Sequence, residues 1–427
     1  MTSGHGWRGG AWTALAVLTG VNLLNYVDRY VLSGVLPLLQ QPPEQGGLGL
    51  SNEQGGTLAS AFIVAYTLLS PAFGLLADRW RRTWLLAAGV ALWSVVTAAC
   101  GLSAGFVGLL ALRASTGIGE AAYAAVAPAV LSDHFPRGAR SRIMSIFNAA
   151  IPVGAAIGFL VGGWVGTHFG WRTAFLVAGG PGLVLAFLVA WMRDPPRGAM
   201  DPGEAHGAPP DLRQAAGLLR RRRFMLPCLG YALQTAGFGS VGIWLPKYLV
   251  AAKGLPLDHA TMLFGGITVV TGLVGTLVGG AWSDRWYRRN PTAHLRVCAL
   301  STLAAAPVVA LILFSEAQWA IWTVTAIGCF LIVMSVGPVN SQIVNVLGSH
   351  ERATGTALSI FILHFLGDVP AIPLVGWVAD HAGWGNAFGL IPLFLAAGGA
   401  VWWWAAVAEA GDAARMAAPR AGGAGAA

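Results

Sequence analysis

Charge is what this 427-residue sequence has least of. Only 10% of it is Asp, Glu, Lys or Arg, whereas 56% is hydrophobic and the mean hydropathy is +0.64. A soluble globular domain carries about 25% charge, so the composition excludes one and predicts an integral membrane protein. Lysine is scarcer still: Lys247 and Lys253 stand against 24 arginines. The four cysteines, Cys100, Cys228, Cys298 and Cys329, each fall in an apolar stretch. They have neither metal-ligand spacing nor a disulfide pattern and read as reduced packing residues. The chain also lacks a large polar segment, a nucleotide-binding glycine loop and a His/Cys cluster. Primary pumping and enzymatic catalysis are thereby disfavoured, and no cofactor or metal is expected.

What is there is a succession of long apolar runs. A membrane span needs about 20 mostly apolar residues. That window predicts twelve spans, at 11–39, 55–77, 83–104, 106–132, 143–166, 172–193, 224–250, 259–283, 296–315, 318–346, 353–379 and 386–408. Basic residues crowd the two tails and alternate loops. Only Arg172 and Lys253 lie in the opposite loops, and Arg29, Arg113 and Lys247 lie within spans. This placement, not nucleic-acid binding, accounts for the +8 net charge. It predicts a multi-pass protein with both termini in the cytoplasm. Scarce lysine, abundant alanine and glycine, and short loops suggest a bacterial inner membrane.

The spans fall into two sets of six. Residues 1–193 are expected to form one bundle and 224–408 another. A cytoplasmic linker, 194–223, joins them, and 409–427 is expected to be a disordered tail. Within the linker, Asp211 to Arg223 could form a short helix on the anionic inner surface or serve only as a basic topology anchor. The halves repeat one another in order. Asp78-Arg79-Trp80 returns as Asp284-Arg285-Trp286, 206 residues on, and Gly170-Trp171 returns as Gly383-Trp384, 213 residues on. Two repeats of six spans describe two pseudo-symmetric bundles around a central cavity, for which a monomer suffices. The repeated loops read Gly74-x-x-x-Asp78-Arg79-x-x-Arg82 and Gly280-x-x-x-Asp284-Arg285-x-x-Arg288. They resemble the signature loop of the major facilitator superfamily. The resemblance implies an all-α membrane fold of twelve helices and a gating role for these residues. The glycines would allow close helix approach, and the acids would pair across the bundle interface in one state only.

Several ionisable residues lie inside spans, where charge is costly and by default functional. The first span holds Asp28-Arg29. The fourth holds Arg113 and Glu120, seven residues apart and so on one helix face. A carboxyl without a partner in hydrocarbon favours its neutral form, which makes Asp28 and Glu120 candidate proton carriers. Arginine stays charged, so Arg29 and Arg113 suit an anionic group or tune the acids. A static ion-pair network is the plain structural alternative. In span eleven, His364 and Asp368 share a face and form either a second polar site or local capping in a broken helix. Lys247, near the end of its span, is expected to snorkel outward. Pro152, Gly154, Gly158, Gly162 and Gly163 are expected to pack helices closely. Tyr26, Tyr123, Asn148, Gln234, Trp244, Asn340 and Gln342 are candidate cavity residues.

Several stretches carry a narrower resemblance. Asn22-x-x-Asn25-Tyr26-x-Asp28-Arg29 with Gly34-Val35-Leu36-Pro37 is similar to the first helix of the spinster family. So are Gly117-Ile118-Gly119-Glu120-Ala121-x-Tyr123, Ile151-Pro152-Val153-Gly154 and the eleventh-span run His364-x-Leu366-Gly367-Asp368. The resemblance implies a secondary transporter of lysophospholipids, sphingolipids or related amphipathic anions, with protons as the coupling ion. Asp28 would be the coupling acid, and Arg29, Arg113 and Glu120 would line the headgroup end of the cavity. The organic anion:cation symporter branch shares the Asn-Tyr-x-Asp-Arg helix, which leaves a sugar-acid symporter open. A multidrug exporter is a third option.

Overall fold

The computed structural model describes residues 4–197, 199–200, 217–347 and 352–417. Among them there is helix and no strand. Six helices form the first bundle: α1 Gly4–Leu39, α2 Asn52–Arg79, α3 Arg82–Cys100, α4 Phe106–His134, α5 beginning as Arg137–Leu160, and α6 Trp171–Trp191. Helix α5 continues through a π-turn, Val161–Val165, into Gly166–Phe169. The second bundle holds α7 Arg222–Lys253, α8 Leu257–Tyr287, α9 Ala293–Phe314 and α10, built from Gln318–Val333 and Val336–Asn345. Its last two members are α11, residues 352–382, and α12, residues 384–417, parted by non-helical Gly383.

Nine helical stretches among the described residues are long and apolar enough to cross a membrane, and one of them, Thr354–Gly411, contains two passes. Helices α4 and α7 are not among the nine. The first carries Arg113 and Glu120 and the second Gln234 and Lys247, polar residues that lower their mean hydropathy.

The helices overrun the apolar windows, because polar end-turns continue the backbone beyond the hydrocarbon. The largest difference is at the C-terminus. The tail expected from Glu409 is helical as far as Ala417. Its alanines favour helix, and the Glu409 carboxylate accepts from Gln342 Nε2 at 3.0 Å. Residues 418–427 and 201–216 lie outside the described residues, and with them most of the linker and the proposed helix from Asp211.

The sequence repeat is a structural one. Gly170 and Gly383 adopt φ of 88° and 82°, a region that favours glycine. Each ends a helix, and Trp171 and Trp384 then open the last helix of their bundles. The expected glycine seam also forms. A Cβ at Gly154, Gly158 or Gly162 would collide with the α1 carbonyls of Leu23, Val27 and Val31, so α1 and α5 pack backbone to backbone.

The bundles meet at one end. Ser33 of α1 donates to the carbonyls of Gly242 and Ile243 at 2.8 and 2.9 Å, and Ser60 of α2 donates to Val369 O at 3.0 Å. Asp380 of α11 accepts from the Asn52 and Glu53 amides at 3.0 and 2.8 Å and from Asn52 Nδ2 at 2.7 Å. All these contacts lie away from the arginine-rich loops. At the arginine-rich end nothing stands within 4 Å of a Cβ built on Gly74 or Gly280, although a Cβ on Gly337 of α10 would lie 3.9 Å from Gly280 Cα. Among the described residues the bundles stand apart there. Arg79, Asp284, Arg285 and Arg288 are exposed, whereas Arg82 is buried.

Candidate functional site

Four ionisable side chains converge midway along α1 and α4. Asp28 and Arg113 are each 1% exposed and Glu120 is 0% exposed. The spacing places Arg113 and Glu120 on one face of α4, and both turn to α1, but they do not pair with each other. Arg29 Nε donates to Glu120 Oε2 at 2.9 Å. Arg113 Nη1 lies 3.4 and 3.5 Å from the two oxygens of Asp28, at the loose limit of a hydrogen bond. Each acid is thus held by the arginine of the neighbouring helix. A carboxylate taken this far from water needs a compensating charge, and the crossed arrangement supplies one to each.

Three residues that the sequence did not single out complete the site. Thr97 of α3 donates to Asp28 Oδ1 at 2.7 Å. Phe62 and Tyr66 of α2, with Tyr26 of α1, surround the Arg29 guanidinium, their ring centroids 5.0, 4.7 and 5.1 Å away. Phe62 also lies 5.3 Å from the Arg113 guanidinium. At such distances the ring faces stabilise the cations. Two polar atoms are left over: Glu120 Oε1 and Arg113 Nε are buried without a hydrogen-bond partner among the described residues.

The second bundle reaches this site through Tyr66. Its ring stands edge-on to His364 at 6.2 Å, and His364 Nδ1 is 2.8 Å from Asp368 Oδ2. Helix α11 is not broken here. It widens into a π-turn, His364–Asp368, a distortion common at functional sites. The other oxygen of Asp368 is buried and unpartnered among the described residues.

Other candidates serve packing. Tyr123 is 3% exposed, donates to Leu18 O at 3.1 Å and stacks edge-on with Trp93. Trp244 is fully buried and donates to Ile372 O at 3.0 Å. Gln234 is 1% exposed, with its amide 3.4 Å from Ile332 O. The polar atoms of these three are turned to neighbouring backbone. Asn148 and Asn340 are exposed, Asn340 bonding back to Val336 O. Gln342 is buried against Glu409, and Lys247 is half-buried. All four cysteines are buried and free.

Two bundles of six helices with a charged centre are the architecture of a secondary transporter, and the sequence matches the Major Facilitator Superfamily model over residues 18–371. The chain is a multi-pass membrane transporter of that superfamily. It is 34% identical over 397 residues to protein spinster homolog 3 of Danio rerio, a match covering 87% of this chain and 77% of that protein. Protein spinster homolog 1 of Homo sapiens is 34% identical over 397 residues, 86% of this chain and 72% of that one. A crystal structure of a bacterial homologue of the human lysosomal transporter spinster, inward-facing and occupied, aligns with a TM-score of 0.81 and 19% identity over 95% of this chain and 98% of the other. The chain belongs to the spinster family.

Proposed function

We propose that the chain is a proton-coupled transporter of an amphipathic anion, such as a lysophospholipid or sphingolipid, working by alternating access. The observation that carries this reading is the crossed pairing of Asp28 with Arg113 and Glu120 with Arg29. Arg29 is the more accessible arginine, its side chain 19% exposed, and its aromatic surround suits a charged headgroup with an apolar tail. An anion that takes Arg29 deprives Glu120 of its partner. Leaving one buried charge unpaired costs about 3–5 kcal/mol, so proton uptake by Glu120 accompanies anion binding. Binding of proton and anion is then cooperative, and by linkage each raises the affinity for the other. Asp28, held by Thr97 and Arg113, is the second proton site. If the termini are cytoplasmic, separation at the arginine-rich end is an inward-open arrangement.

Two measurements test this. In proteoliposomes under an imposed pH gradient, wild-type protein should move lysophospholipid and Asp28→Asn should lose at least ~90% of gradient-driven transport. Undiminished coupling in the variant would remove Asp28 from the mechanism. With purified protein, lysophospholipid affinity should rise as pH falls and lose that slope in Glu120→Gln. Selective uptake of a sugar acid by the same vesicles would redirect the substrate assignment while leaving the ion-pair site in place.

A further inference from the structure

The first bundle carries a basic cleft away from the central site. It holds about 470 Å³ and is lined by Arg79, Arg81, Arg82 and Arg197, with Trp80 and Asp194. One of its four guanidinium groups is already neutralised. Arg82 is buried, pairs with Asp133 and Asp194 and donates to Pro195 O at 2.6 Å. Asp194 also accepts the Arg82 amide at 2.8 Å, which folds the start of the linker against α3. The other three arginines are exposed and take part in no ion pair among the described residues. Arg197 donates to the carbonyls of Ala77 and Trp80 at 2.7 and 3.0 Å, so its side chain is anchored over the cleft with its charge uncompensated.

We infer that this cleft binds a phosphate group, presented by an anionic phospholipid headgroup or as free phosphate. Three positive groups converge on one concavity, and the forked donors of arginine fit phosphate oxygens in pairs. The depth is also right for a headgroup. Trp80 in the cleft and Trp84 one turn into α3 are each 61% exposed, and exposed indoles settle at the membrane–water interface. A bound phosphate would bridge Arg197 to Arg79 and Arg81. It would thereby fasten the first residues of the linker to the loop between α2 and α3. A role as topology signal alone needs positive charge but no concavity and no selectivity among lipids.

The test uses the full-length purified protein, with native mass spectrometry reading bound lipid. Phosphatidylglycerol, zwitterionic phosphatidylcholine and inorganic phosphate are the three probes. Phosphatidylglycerol should bind more tightly than phosphatidylcholine. The exposed double variant Arg79→Gln/Arg81→Gln should weaken it by roughly 10-fold or more, given that each basic residue near an anionic surface contributes substantially. Arg220→Gln/Arg289→Gln removes equal charge from exposed positions outside the cleft and should leave affinity within about twofold of wild type. Millimolar inorganic phosphate that displaces phosphatidylglycerol would identify free phosphate as a ligand of the same site, and failure to displace would assign the lipid. Equal affinity for the two lipids together with no phosphate binding overturns the inference, as does equal weakening by the two double variants.

Discussion

Thr97 shows how much a single hydroxyl can govern at this site. It is fully buried and gives Asp28 its shortest hydrogen bond, whereas Arg113 stands off at 3.4 Å. A hydrogen bond to a charged group contributes about 1.5–3 kcal/mol. Thr97→Val should therefore lower gradient-driven transport by roughly 10-fold, measured in the same proteoliposomes. Thr97→Ser should restore the rate. An unchanged rate in the valine variant would reduce Thr97 to a packing residue. Nothing in the sequence set Thr97 apart. Asp28, Arg29, Arg113 and Glu120 were legible because charge in an apolar stretch is conspicuous. Their crossed pairing was not, since helical spacing says which residues share a face and not what faces them. Phe62 and Tyr66 escaped notice for a related reason: aromatic residues in an apolar span are ordinary until a cation is found against them.

At the scale of elements, the junction of α2 with α11 is the most specific tie between the bundles. Asp380 accepts three hydrogen bonds from the first residues of α2, where the helix dipole favours an anion. Gly376, one turn earlier on α11, lies so close to Asn52 that a Cβ there would collide with its carbonyl. Opening this end must break all three bonds. Asp380→Ala should shift the population toward the state open at this end, seen as a longer distance between spin labels on Ser51 and His381. A distance distribution identical to that of the wild type would dismiss the latch. The glycine seam makes a second prediction. Gly158→Leu should destabilise the first bundle by several kcal/mol, because the α1 backbone cannot yield as a side chain would, and a lower thermal midpoint of the purified protein would register it. That seam was legible from its four-residue glycine spacing. The π-turn in α11 was not, because His364 and Asp368 are compatible with an ordinary turn as well.

For the whole molecule, the two-bundle plan followed from the repeat, since the matching Gly-Trp turns and Asp-Arg loops recur in the same order in both halves. The open end did not follow. One sequence must serve every state of a transport cycle, so composition carries no record of which state is populated. Orientation rests on where the arginines lie. A fluorescent protein fused after Ala427 should mature and fluoresce in cells, as it does when the C-terminus is cytoplasmic. A dark, exported fusion would invert the topology.

Contact at one end and separation at the other also fix a mechanical ratio. Helix α2 has 28 residues, about 42 Å at ~1.5 Å per residue. It is tied to α11 at Asn52, whereas its far end is held within its own bundle, by Arg197 at Ala77 and Trp80. Turning with that bundle as a rigid lever, it would convert a rotation of roughly 10° about its pinned end into about 7 Å of travel at its far end. Movement at the pinned end stays within the slack of a hydrogen bond. The aperture for a bulky solute is thus set by the stiffness and length of the helices, and the side chains near the fulcrum decide only when the lever turns.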